Sequence, residues 1–211
     1  MHIPDGLIDL KLSAGLIGTA GAAVIYSLYK LRDALAVSGE NTLYRMGMVA
    51  ALIFSAQMFK FPIDNGTSVH LIGGALAAVL LGPFAGTVVI SVVLTIQMLF
   101  FADGGVLPLG ANIVNMALVG TILCYYIYYA IKQWVPEWLA IIAASWISLV
   151  LADFSCALEI GLSGTIPFGD VTPAMVKAYA VIGTIEAFIT VALVYVLRSL
   201  LSPPEGHKVK Q

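Results

Sequence analysis

The chain has 211 residues, of which 60% are hydrophobic and only 10% charged, and its mean hydropathy is +0.98. That composition excludes an ordinary water-soluble domain and puts the chain in a lipid bilayer. A formal net charge of −2, with no basic stripe outside the segment ends, excludes nucleic acid as a partner.

The first nine residues are polar and turn-forming. Asp5 and Asp9 precede the first apolar run and no basic residue comes before Lys11, so no secretory signal peptide is expected and His2 is expected next to the mature terminus. Leu12 to Tyr29 carries no charge and is about 27 Å long as a helix, a first span. Lys30, Arg32, Asp33 and Glu40 predict a polar loop. Met46 to Phe59 is a second span, extended by Thr42 to Arg45 and by Lys60, which can snorkel. From Asn65 to Ala102 the potential charge of His70 is the only one. That stretch is about 57 Å as a helix, and Gly82-Pro83 divides it into a short, partly broken third span, His70 to Leu81, and a fourth, Phe84 to Phe101. After the Asp103-Gly104-Gly105 and Pro108-Leu109-Gly110 connection, Asn112 to Ile131 forms a fifth span ending in an aromatic belt of Tyr125, Tyr126, Tyr128, Tyr129 and Trp134. Trp138 to Leu158 is the sixth, and Ala174 to about Leu201 the seventh.

The expected fold is therefore an all-α integral membrane bundle of seven transmembrane helices. It forms one domain over residues 1–201, with a metal-binding segment at 1–9 and a flexible cytoplasmic tail at 202–211. Seven lysines and arginines (Lys30, Arg32, Arg45, Lys132, Arg198, Lys208, Lys210) fall on one side against three (Lys11, Lys60, Lys177) on the other. The excess predicts the N-terminus outside and the C-terminus inside a cytoplasmic, or inner, membrane. Small residues four apart, Ala14, Gly18 and Ala22, then Gly47, Ala51 and Ser55, read as close packing inside the bundle, with a partner membrane protein as the other reading. Cys124 and Cys156 lie in apolar runs and read as buried thiols.

A histidine at position two offers three nitrogens to one ion: the terminal amine of Met1, the deprotonated His2 amide and the ring Nδ1. The predicted topology puts His70 on the same outer side, and its imidazole would complete four nitrogens in a plane. That donor set suits nickel(II) or copper(II) better than zinc, calcium or magnesium. Asp153 and Glu186 lie inside spans, where charge is costly. Hydrogen bonding within the bundle, proton relay and, with the histidines, intramembrane metal-dependent hydrolysis are the readings for them. Gln97, Asn112 and Asn115 either join helices or orient the histidines, and Asp5, Asn65 and Ser68 are candidates for the same orienting role. Asp5-Gly6 reads as the turn that lets the end double back to the pocket. No GxxxxGK[ST], HExxH or GxSxG motif occurs, so no ATP or hydrolase site of its own is expected.

Met1-His2-Ile3-Pro4-Asp5-Gly6, Ser68-Val69-His70-Leu71-Ile72-Gly73-Gly74, Leu81-Gly82-Pro83, Asp103-Gly104-Gly105, Leu109-Gly110-Ala111-Asn112, Asn115-Met116-Ala117 and Ile182-Gly183-Thr184-Ile185-Glu186-Ala187 together resemble the substrate-specific membrane (S) component of nickel and cobalt energy-coupling factor transporters, the NikM/CbiM family. The resemblance covers nearly the whole chain. It implies seven helices, with an extra first helix that lets the N-terminus enter an outward-open pocket. It also implies an ion held by the amine of Met1, the amide and ring of His2 and the ring of His70. The implied partners are a membrane scaffold (T) subunit, cytoplasmic ATPase (A) subunits and in some systems a small accessory membrane subunit. Relatives often carry a histidine where this chain has Tyr179, so no histidine role is carried to that position. The expected function is high-affinity capture of Ni(II) for ATP-driven import, without enzymatic activity of its own. Co(II) is the alternative ion.

Overall fold

The structure is a computed structural model that describes residues 1–62 and 68–201. Asn65 and the tail at 202–211 lie outside the described residues, and Ser68 is described only as backbone. Helix α1, Leu10–Gln57, is capped by Asp9, whose carboxylate accepts from Lys11 N at 2.8 Å and Leu12 N at 3.2 Å. It contains both expected first spans, folded about a kink at Ser38 (φ −144°, ψ 48°). The polar stretch from Lys30 to Glu40, expected as a loop, is helical on both sides of that kink. Lys, Leu, Arg and Ala there are strong helix formers, and only the Ser38-Gly39 pair interrupts them. The arm from 10 to 37 is about 42 Å long and so outreaches a hydrocarbon core of about 30 Å.

Two-residue strands, β1 (Phe61–Pro62) and β2 (Ser68–Val69), pair antiparallel after α1. Helix α2, Gly74–Leu81, begins four residues later than His70, where the sequence had suggested. Gly73 is left-handed (φ 75°), which ends any helix running back toward His70. Gly82 (φ 83°) closes α2, and Pro83 opens α3, Pro83–Phe101, at the position where a missing N–H costs nothing. Helix α4 (Leu109–Ile113), a π-helical stretch Val114–Leu123 and α5 (Cys124–Ile131) follow without a break. Helices α6 (Glu137–Leu162) and α7 (Phe168–Leu201) complete the chain. Among the described residues, five helical units are long and apolar enough to cross a membrane: α1, α3, Leu109–Ile131, α6 and α7.

Small residues set the close contacts at the centre. A Cβ on Gly74 would stand 2.3 Å from Gly120 O, so α2 presses its backbone onto the π-helical stretch. Ala77, Ala117, Ala140 and Ala144 are fully buried around it. The two stripes read as internal packing do not behave so. Ala14, Gly18, Ala22, Gly47, Ala51 and Ser55 are all exposed on α1, and nothing lies within 4 Å of a Cβ placed on Gly18 or Gly47. Cys124 and Cys156 are buried and free, as the sequence suggested.

Candidate metal centre

The first three residues do not lie on the surface. Met1 is 1% exposed and Ile3 0%, because two loops and the start of α4 grip the segment along its length. Ile3 N donates to Asn112 Oδ1 at 2.8 Å, and Ile3 O accepts from Gly105 N at 2.9 Å and from Asn112 Nδ2 at 3.3 Å. The Asp5 carboxylate accepts from Val106 N at 3.2 Å and Leu107 N at 3.0 Å. Thr165 Oγ1 donates to Leu7 O at 2.7 Å, and Asp9 N donates to Ser163 Oγ at 3.2 Å. Gly6, at φ 93°, makes the reversal into α1 without strain. At the inner end the Met1 amine donates to the Tyr179 hydroxyl.

The turn delivers His2 against His70, with His2 Nδ1 and His70 Nε2 2.8 Å apart. Each ring is oriented from behind. His70 Nδ1 faces Leu71 O at 2.8 Å and must carry the proton there, which leaves Nε2 bare. His2 Nε2 faces Gln97 Oε1 at 3.1 Å, which leaves Nδ1 bare in the neutral ring. Two lone pairs so close repel unless a proton or a metal ion stands between them. The backbone that carries His70 is itself fixed. Ile72 N and Gly73 N donate to the two Glu186 carboxylate oxygens at 2.7 and 2.8 Å, and Gln57 Nε2 donates to Ile72 O at 2.7 Å.

Charge and burial act on these nitrogens together. Burial, above all, brings the Met1 amine down from about 8.0 to about 6 and His2 from 6.5 to about 4. Asp103 opposes the shift in both groups and Lys60 adds to it. Asp103 is 5% exposed, with Oδ1 3.5 Å from His2 Nδ1 and Oδ2 2.7 Å from Lys60 Nζ. At neutral pH the Met1 amine and the His2 ring are therefore largely neutral. Among the described residues no group of three or more His, Cys, Asp or Glu is arranged to hold an ion. A metal here would depend on main-chain nitrogen.

The family model for CbiM, a cobalt uptake substrate-specific transmembrane region, matches residues 2–202. The chain belongs to the CbiM family. Relatives of this CbiM-family chain include a putative fused nickel transport protein of Archaeoglobus fulgidus, 47% identical over 197 residues, which are 92% of this chain and 64% of that protein. This chain thus spans less than two thirds of that relative's length. The cobalt transport protein CbiM of Sorangium cellulosum is 31% identical over 211 residues, 94% of this chain and 92% of that one. A crystal structure of a truncated transition metal transporter matches with a TM-score of 0.88 at 29% identity, covering 95% of this chain and 99% of that chain. With its long apolar helices, this CbiM-family chain is a multi-pass membrane protein.

Not every residue singled out from the sequence meets the histidines. Gln97 does. Asn112 and Asp5 hold the terminal segment instead, and Glu186 holds the His70 backbone. Asn115 Nδ2 donates to Glu159 Oε2 at 2.7 Å, away from the imidazoles. Asp153 is fully buried in α6 with neither oxygen hydrogen-bonded, and its charge acts on the Met1 amine. Both Glu186 oxygens accept from main-chain N–H groups and neither Asp153 oxygen has a hydrogen bond, so the two carboxylates share no hydrogen-bond partner. Sequence reasoning gave no role at this site to Asp103, Lys60 and Gln57, and left that of Tyr179 open. The signal for the first two was present, since opposite charges end two apolar runs on one predicted side of the membrane. A groove of about 530 Å³ between α1 and α3, lined by Ala20, Gly21, Val24, Val88, Val92 and Leu109, is apolar.

Proposed function

We propose that this chain captures nickel(II) on the outer face of a cytoplasmic membrane, holding it in a plane of four nitrogens: the Met1 amine, the His2 amide, His2 Nδ1 and His70 Nε2. The observation that carries the reading is the pair of facing bare imidazole nitrogens 2.8 Å apart. Two nitrogens bound at right angles about 2.0 Å from one ion stand about 2.8 Å apart, so the spacing suits a metal with no rearrangement of the rings. Burial that keeps the amine and His2 neutral supports it further. Cobalt(II) is the second ion, favoured by the family's description as a cobalt-uptake region and by the Sorangium cellulosum relative.

The chain works as the substrate-binding subunit of an ATP-driven importer of the energy-coupling factor type and has no enzymatic activity of its own. A membrane scaffold subunit, cytoplasmic ATPases and in some assemblies a small accessory membrane subunit complete it. The two arms of α1, the short α2, α3, the rod 109–131, α6 and α7 make seven passes, with the N-terminus outside and the tail at 202–211 inside. Residues 1–201 form one transmembrane domain, of which 1–9 bind the metal.

The test compares nickel binding by the chain starting at Met1 with a version carrying one or two residues ahead of it. An extension turns the amine into an amide and has no room where Met1 is 1% exposed. Affinity should collapse, as it should for His2→Ala and His70→Ala. Equal affinity with and without the extension would refute the chelate.

A further inference from the structure

Lys60 and Asp103 are not donors in the four-nitrogen plane, yet they form an ion pair at its edge. Asp103 Oδ1 is turned to His2 Nδ1 at 3.5 Å, while Oδ2 holds Lys60 Nζ at 2.7 Å. We propose that Lys60 is a tethered stand-in for the incoming cation, which occupies Asp103 while the nitrogens hold no metal and yields it when the metal arrives, so that Asp103 becomes the counter-charge of the loaded site. The inference rests on the four-nitrogen reading above.

Charge counting motivates it. A divalent ion bound by one deprotonated amide and three neutral nitrogens leaves a net charge of about +1 in a buried site, which is costly without a partner. Glu186 has both oxygens committed to Ile72 N and Gly73 N, and Glu159 is held by Asn115. Asp153 is buried in α6 without a hydrogen bond, and Asp103 is the carboxylate within 4 Å of a ring donor, His2 Nδ1. Its backbone is fixed by a bond from Asp103 N to Gln97 O at 3.1 Å beside the left-handed Ala102. Lys60 is the movable member, with a flexible stem that is 32% exposed just beyond the end of α1.

The experiment titrates NiCl2 into the full chain by calorimetry, with the absorption spectrum recorded in parallel, for wild type, Lys60→Met, Lys60→Arg, Asp103→Asn and the double variant Lys60→Met/Asp103→Asn. Removing the competing charge should tighten binding about tenfold in Lys60→Met, and losing the counter-charge should weaken it about tenfold in Asp103→Asn. Lys60→Arg keeps the positive charge but grips a carboxylate with two parallel bonds, so it should weaken nickel binding. That arm stands even if Lys60→Met folds poorly. In the Asp103→Asn background the effect of Lys60→Met should shrink to less than about twofold, since nothing remains to compete for. The nickel spectrum should be the same in all of them. Unchanged or weaker binding in Lys60→Met, tighter binding in Lys60→Arg, additive effects in the double variant, or a shifted spectrum in Asp103→Asn would each overturn the exchange while leaving the nitrogen plane standing. Failure of the wild type to bind nickel would remove the plane, and the exchange with it.

Discussion

Glu186→Gln tests how the site is held rather than what it is made of. The Glu186 carboxylate accepts from Ile72 N at 2.7 Å and Gly73 N at 2.8 Å, and so fixes the short segment that carries His70. A glutamine of the same size has one acceptor oxygen, so its amide group would point a donor at one of those two N–H groups. The loss of one charge-assisted bond costs about 2 kcal/mol, which Gln57 on Ile72 O only partly offsets. If the segment opens by that amount, the fraction of molecules with His70 in place falls and apparent affinity falls with it, by up to about thirtyfold. Stopped-flow nickel binding reads the effect in the association rate. The bound spectrum and the dissociation rate stay as in wild type, because the loaded site has the same donors. Wild-type affinity in Glu186→Gln would refute the clamp, and an altered spectrum would show that Glu186 touches the ion itself.

Proton release gives an independent check. With the Met1 amine at about 6 and His2 at about 4, nickel binding above pH 7 should release about one proton, that of the His2 amide, rising toward two near pH 5 as the amine also needs to be stripped. Calorimetry in buffers of different ionisation enthalpy counts these protons, and two or more at pH 8 would contradict it. The sign for the metal-free chain follows from the same shifts. Both groups hold protons more weakly folded than unfolded, so the buried terminus is fully stable above about pH 8 and loses stability as the pH falls toward 4. Gly105→Ala should expel the segment sterically, since the new Cβ would stand 2.4 Å from Asp5 N and 2.5 Å from its carboxylate. Nickel binding should be lost while circular dichroism still reports the full helical content, and retained affinity would argue against the grip of that loop.

The parts legible in the sequence were those set by long-range composition and by donor chemistry. Apolar runs located the crossing helices, because a bilayer leaves a chain few other options, and His2 and His70 stood out by residue type. Local conformation was less legible. The charges from Lys30 to Glu40 suggested a loop, but helix propensity is indifferent to charge and only Ser38 breaks the geometry. The delayed start of α2 depends on a left-handed Gly73 whose N–H is claimed by Glu186, a residue 113 positions away. The small-residue stripes on α1 were misread for a related reason. Periodicity tells which residues share a face, but not what the face meets. The pairing of Asp103 with Lys60 was not legible because each, alone, is an ordinary charge at the end of an apolar run, and only the fold brings them together beside His2.

The two halves of the site reach it by different routes and share one support. The Met1 amine ends at Tyr179, and the His70 segment ends at Glu186, and these two residues are seven apart on α7, hence on one face of that helix. Gln97 from α3 and Asn112 from α4 hold His2 and Ile3 from the other side. On the proposed four-nitrogen reading, a metal would tie the terminal segment to the His70 segment across a bundle that already holds both, with little ordering cost left to overcome.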